Sequence, residues 1–206
     1  MAQEALNATL QVGVVLIVAL VLWAIFARKR ESFPRYIGLI APTTKAMLWT
    51  LGVAVILIPA SLAVFMLPTV RDMAAGSNTV AGMIREQGFS ADVIGQIVII
   101  ALFKTALSEE IFFRGLLAKR LIRWLGFGVG NTIQAILFGA IHLLIFVIPG
   151  GPKFDPILAL GIGGLPALGG WIMAWLNERI GNGSIAPSWF LHAATNVLAY
   201  PVLAFA

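Results

Sequence analysis

The sequence predicts an all-helical protein embedded in a membrane as a bundle of about six transmembrane helices. Two bulk properties and one pattern predict it. Of 206 residues, 60% are hydrophobic and 11% charged, and the mean hydropathy is +0.95, whereas soluble domains carry roughly a quarter charged residues. The pattern is the recurrence of apolar stretches near the ~20-residue length that crosses a bilayer as a helix. They run over Leu10 to Ala27, Ala46 to Leu67, Val93 to about Leu117, Gly128 to Ile148, Ile157 to Leu176 and Ile185 to Phe205. Together they fill nearly the whole chain.

The first stretch follows Glu4 and precedes Arg28, Lys29 and Arg30, the reverse of a secretory signal with its basic start, so it reads as a retained helix. Residues 28 to 45 form a short loop with Pro34 and Pro42. Residues 68 to 90 form a longer one with Pro68, Gly76, Asn78 and Gly88, and an interfacial helix across Val80 to Gln87. Ser90 followed by Asp92 reads as an N-cap with an acid in the first turn. That third helix runs on to Trp124, where Gly126, Gly128 and Gly130 break it. Pro149, Gly150, Gly151 and Pro152 separate the fourth and fifth spans, and Gly181, Asn182, Gly183 and Ser184 the fifth and sixth. Five glycines around Pro166 make the fifth span a close-packing helix with a proline kink.

Charge orients the bundle. If the first loop is cytoplasmic, that side collects Arg28, Lys29, Arg30, Arg35, Lys45, Lys119, Arg120, Arg123 and Arg179, against Arg71, Arg85 and Lys153 opposite. Nine against three is the bias of the positive-inside rule and places both termini outside. Nothing interleaves these cations with aromatics as a nucleic-acid groove requires, so membrane lipid is the partner they imply. The absence of cysteine excludes disulfides, thiol nucleophiles and thiolate metal sites.

Charge inside a span is expensive, at least ~2.5 to 3.5 kcal/mol at mid-bilayer, which makes each such residue a functional candidate. The candidates are Lys104, Glu109, Glu110, Arg114, His142, His192 and Asn196. Glu110 and Arg114 stand four apart, in the order that neutralises both on one helix face. Glu109 is turned about 100° from Glu110 and is free for another partner. His192 and Asn196 also stand four apart, and Phe138 precedes His142 by the same interval. Lys104 offsets the acidic doublet or snorkels. Counting ~1.5 Å per residue from the basic ends of the helices puts Glu109 at about 15 Å, His142 at roughly 21 Å, His192 at ~12 Å and Asn196 at ~18 Å. All four fall within one layer of a ~30 Å core.

A lone buried histidine is more often a hydrogen-bonded core residue than a catalyst; the joint pattern points to a site. A His-Glu-x-x-His zinc motif is absent, Asp72, Asp92 and Asp155 lie in loops or at span ends, and Ser108 lacks a glycine-flanked elbow. The remaining solution is hydrolysis of an acyl bond: Glu109 and His142 activate water, while His192 and Asn196 donate to the oxyanion. A catalytic zinc ion held by Glu109, His142 and His192 is a second solution. A third is a non-catalytic membrane scaffold or a transporter with a proton relay, although no repeated halves are visible.

"EEIFFR" at Glu109 to Arg114, "FGAIH" at Phe138 to His142 and "HAATN" at His192 to Asn196 resemble the three motifs of the CPBP (CAAX protease and bacteriocin-processing, Rce1-like) intramembrane proteases. The resemblance covers about residues 93 to 200. It implies an intramembrane endopeptidase acting on a membrane-associated peptide or protein, with a glutamate-type site that needs no cofactor as the first reading and a zinc site as the alternative. It assigns water activation to Glu109 and His142, the oxyanion hole to His192 and Asn196, and support to Glu110 and Arg114. Six spans rather than the eight of eukaryotic prenyl-protein proteases imply a compact prokaryotic member in the cytoplasmic (inner) membrane. The chain then divides into two N-terminal helices with their loop, 1–90, and a four-helix core, 91–206, around a cavity expected to open to the cytoplasm.

Overall fold

The computed structural model describes residues 1–74, 76, 79–149 and 151–205. Asn78 and Gly150, two of the expected loop residues, lie outside the described residues. The described chain is all helical. Five helices are long and apolar enough to cross a membrane: α1 (Ala2–Phe26), α3 (Thr44–Phe65), α6 (Ala91–Leu125), α7 (Phe127–Phe146) and α8 (Pro156–Ile180). Three short helices connect them, α2 (Phe33–Ile37), α4 (Pro68–Ala74) and α5 (Val80–Gln87). The sixth expected span is α9 (Ala186–Phe205), 20 residues long. It falls outside the strongly apolar set because it carries His192, Thr195, Asn196, Tyr200 and two prolines.

Helix boundaries follow local chemistry. Ser90 accepts a bond from the Val93 amide at 3.2 Å and opens α6, as its spacing from Asp92 predicts. Thr43 caps α3 through the Ala46 amide and donates to the Ile180 carbonyl, tying α3 to the end of α8. Gly126, with φ of 78°, alone breaks α6 from α7; Gly128 and Gly130 lie within α7, which begins at Phe127. The first helix starts eight residues before the expected span. Its polar first turns are satisfied on α6, where Glu4 pairs with Lys104 at 2.8 Å and Gln11 donates to the Lys104 carbonyl and to Ser108. Lys104 therefore balances Glu4, not the acidic doublet.

The two ends of the bundle differ. Arg28 to Lys45, the C-terminal part of α6 and the α8–α9 turn meet at one end. There Lys119 reaches Glu178 and the Gly183 carbonyl at 2.7 Å, and Ser184 donates to the Ile40 carbonyl. Gly38 sits at φ 75°, where a Cβ would strike the Gly183 carbonyl and Ile185, so this turn needs glycine. The nine cations grouped by sequence thus lie at one end. The opposite end carries α4 and α5. α5 packs through Ala81 and Ile84 against Val93, Ile97 and Leu203, so it is docked on the bundle, not merely afloat at the interface.

Small residues and amides join the core helices, since lipid supplies no hydrophobic drive for their association. A Cβ on Gly139 of α7 would collide with the Gly163 carbonyl and Ala167 of α8. Asn131 donates to the Trp171 carbonyl, and Gln134 to Asn131 and to the Gly170 carbonyl, at 2.7 to 3.1 Å. Asn177 and Ser188 bond reciprocally between α8 and α9. Pro166 stands near the start of a regular α-helical stretch, Leu165–Trp175, just after wide turns at Leu160–Gly164.

Candidate active site

Glu109 and Glu110 occupy a short α-helical stretch of α6 flanked on both sides by wide i→i+5 turns, Ile100–Leu107 and Ile111–Ala118. Such turns release carbonyls from the regular ladder and recur at functional sites. Here the Leu102 carbonyl accepts from Trp189 of α9 at 2.7 Å, and the Lys104 carbonyl accepts from Gln11 and Ser108. The doublet's helix is thereby fastened to α1 on one side and to α9 on the other. Ser108 is buried in this network, its hydroxyl committed to backbone.

Successive residues of a helix point about 100° apart, and the two carboxylates accordingly diverge. Glu110 is fully buried; Glu109 is 29% exposed and lines a cavity of about 460 Å³. Burying a carboxylate with a guanidinium is costly unless the geometry compensates. Arg114 lies 3.0 Å from Glu110 and stacks 4.0 Å over the Phe138 ring, whose electron-rich face attracts the cation. His192 supplies the third partner, its Nδ1 standing 2.9 Å from Glu110. A carboxylate accepts, so Nδ1 carries the proton and Nε2 is turned towards Glu109, 4.0 Å away. Glu110 thus orients His192 as well as neutralising Arg114, a role its spacing did not disclose.

His142 is fixed in the same manner by backbone. Its Nδ1 donates to the Phe138 carbonyl at 2.6 Å, leaving Nε2 as the nitrogen able to act on a ligand. The Phe138 ring stands edge-on to both imidazoles, with centroids 4.9 Å from His142 and 6.0 Å from His192. Glu109, His142, His192 and Asn196 all line the one cavity, although α6, α7 and α9 supply them from positions 33 to 87 apart in the sequence. The Asn196 amide nitrogen and one Glu109 oxygen are buried without a protein hydrogen-bond partner. Both are polar atoms with unused capacity in a mostly apolar chamber, the arrangement of a ligand site.

Several liners were absent from the sequence candidates: Ser61 from α3, Thr105, Thr195 and Tyr200. Tyr200 lies one turn beyond Asn196 and two beyond His192, so the same four-residue spacing extended once more would have found it. Its hydroxyl lies 3.4 Å from that of Thr105. Leu57 and Phe65 of α3 also line the chamber, which makes an N-terminal helix part of its wall. The chamber reaches from the Glu109 and His192 level towards Phe65 and Val80, the end opposite the basic cluster. The chamber's length lies in the half of the bundle away from the basic end, lined there by Phe65, Ile162 and Tyr200.

Among the described residues no group of three histidine, aspartate or glutamate side chains is arranged to hold a metal ion. The Nε2 of His192 stands 4.0 Å from a Glu109 oxygen, somewhat wider than two ligands of one tetrahedral zinc, and its Nδ1 is held by Glu110, as the second nitrogen of a metal-binding histidine also is.

A family model described as type II CAAX prenyl endopeptidase Rce1-like matches residues 92–198, which contain all three motifs. No curated protein and no solved structure matches the chain.

Proposed function

The chain belongs to the Rce1-like family of CAAX-type endopeptidases, and on that premise we propose that it cleaves a membrane-associated peptide or protein by glutamate-based activation of water. The observation that carries the reading is the convergence of Glu109, His142, His192 and Asn196 on one chamber. A water molecule between Glu109 and the His142 Nε2 gives its proton to the carboxylate as its oxygen attacks the peptide carbonyl. The negative charge that develops on the carbonyl oxygen takes hydrogen bonds from the Asn196 amide and from His192. That role requires a proton on His192 Nε2 while Nδ1 donates to Glu110, which is the imidazolium form. Glu109 and Glu110, facing its two nitrogens, suit such a cation. Collapse of the intermediate breaks the C–N bond, and the proton taken from water passes to the leaving nitrogen.

The membrane follows from the spans; its identity as a prokaryotic inner membrane belongs to the proposal and rests on the small number of spans, while the placing of both termini and the chamber's length on the outer side rests on the nine-to-three charge bias. The test is Glu109→Gln in purified protein. Cleavage of a reporter peptide ends while the thermal unfolding midpoint stays within a few degrees of the parent, because Glu109 has few protein partners. Turnover persisting in the variant overturns the assignment.

A further inference from the structure

A second cavity, about 800 Å³, lies at the basic end between α1 and α6. Its inner wall is apolar, built from Val18 and Leu22 on one helix and Phe112 and Leu117 on the other. Its rim carries Arg30, Arg120 and Arg123, with Trp124 largely exposed beside them. From Phe112 to Arg123 is eleven residues, or about 16 Å along the helix, close to half the thickness of a ~30 Å hydrocarbon core. The groove therefore grades from apolar at mid-bilayer to cationic at the headgroup level.

The charge at the rim is in surplus. Arg30 is exposed and has no acidic partner among the described residues, and Arg123 meets one carboxylate, Glu31, at 3.2 Å. Arg120 lies 3.5 Å over the Tyr36 ring, with Nη1 donating to the Tyr36, Gly115 and Leu116 carbonyls and Nη2 buried without a protein hydrogen-bond partner. A planar guanidinium held in place by stacking is suited to phosphate. We propose that the groove binds one anionic phospholipid, its phosphate between Arg30, Arg120 and Arg123 and an acyl chain along Val18, Leu22 and Phe112. The site is distinct from the hydrolytic chamber, and nothing in it depends on the protease reading.

Trp124 is the built-in reporter. In detergent micelles doped with phospholipid brominated on its acyl chain, the Trp124 signal is the difference in quenching between the parent and Trp124→Phe. Half-quenching is expected at about a fivefold lower mole fraction of phosphatidylglycerol than of phosphatidylcholine, the selectivity that one interfacial arginine supplies. The preference should vanish in Arg30→Gln/Arg123→Gln and shrink in high salt. Arg30→Gln alone, an exposed change, guards against a folding defect and should halve the preference or better. Coincident curves for the two lipids, or a preference unchanged by the arginine variants, would overturn the proposal.

Discussion

The Nδ1 of His192 lies 2.9 Å from a carboxylate oxygen of Glu110, a residue 82 positions earlier. This contact joins the acidic doublet of α6 to the histidine of α9, and it gives the two neighbouring glutamates different work. One is sealed in protein and holds its partners; the other faces the chamber. Adjacent positions on a helix accomplish this division simply by pointing in different directions.

Glu110→Gln should consequently damage both stability and turnover. It leaves the Arg114 guanidinium, 1% exposed, without its counterion, at a cost of about 3–5 kcal/mol. Adding Arg114→Met should recover much of that stability. It should not restore cleavage, since a neutral amide at position 110 no longer offers His192 Nδ1 the charged acceptor that supports its imidazolium form. Thermal unfolding in detergent beside a peptide-cleavage assay separates the two effects; a single variant as stable as the parent would contradict the buried-pair account.

Asn196 offers a cleaner probe of the oxyanion role, because its amide nitrogen has no protein partner to lose. Asn196→Ala should lower kcat by roughly 10²–10³-fold, with KM changed little, as removal of a donor that acts in the transition state does. Steady-state kinetics decide it. A rise in KM alone would mean that Asn196 binds substrate and does not stabilise the intermediate.

Zinc dependence has its own readout. If Glu109 activates water without a metal, as proposed, purified protein should contain well under one metal ion per chain, and chelator dialysis should leave cleavage unaltered. Stoichiometric zinc by elemental analysis, with turnover lost on chelation and regained on zinc addition, would establish the metallo form.

The chain has no cysteine, which makes single-cysteine topology mapping free of background. In intact cells a membrane-impermeant maleimide should label Asp72→Cys, on α4, and spare Lys29→Cys at the basic end. The reverse pattern would invert the bundle and turn the chamber's length to the cytoplasm.

The apolar spans could be read from sequence because a bilayer leaves backbone groups no partners but their own helix, so each crossing must be a long apolar run. The spacings of Glu110 with Arg114, Phe138 with His142 and His192 with Asn196 were legible for a related reason: four residues make about one helical turn, and one turn needs no knowledge of the fold. Even the basic end announced itself, through Arg28 to Arg30, Lys119 to Arg123 and Arg179. Beyond the single helix such reasoning stops. That Lys104 answers Glu4, that Glu110 positions His192, that an N-terminal helix walls the chamber, and that the chamber runs away from the basic end were decided only by tertiary structure. Each depends on how far one helix is rotated and shifted against another, and that is set by small contacts such as Gly139 on Gly163 and Asn177 on Ser188, which carry no period along the chain.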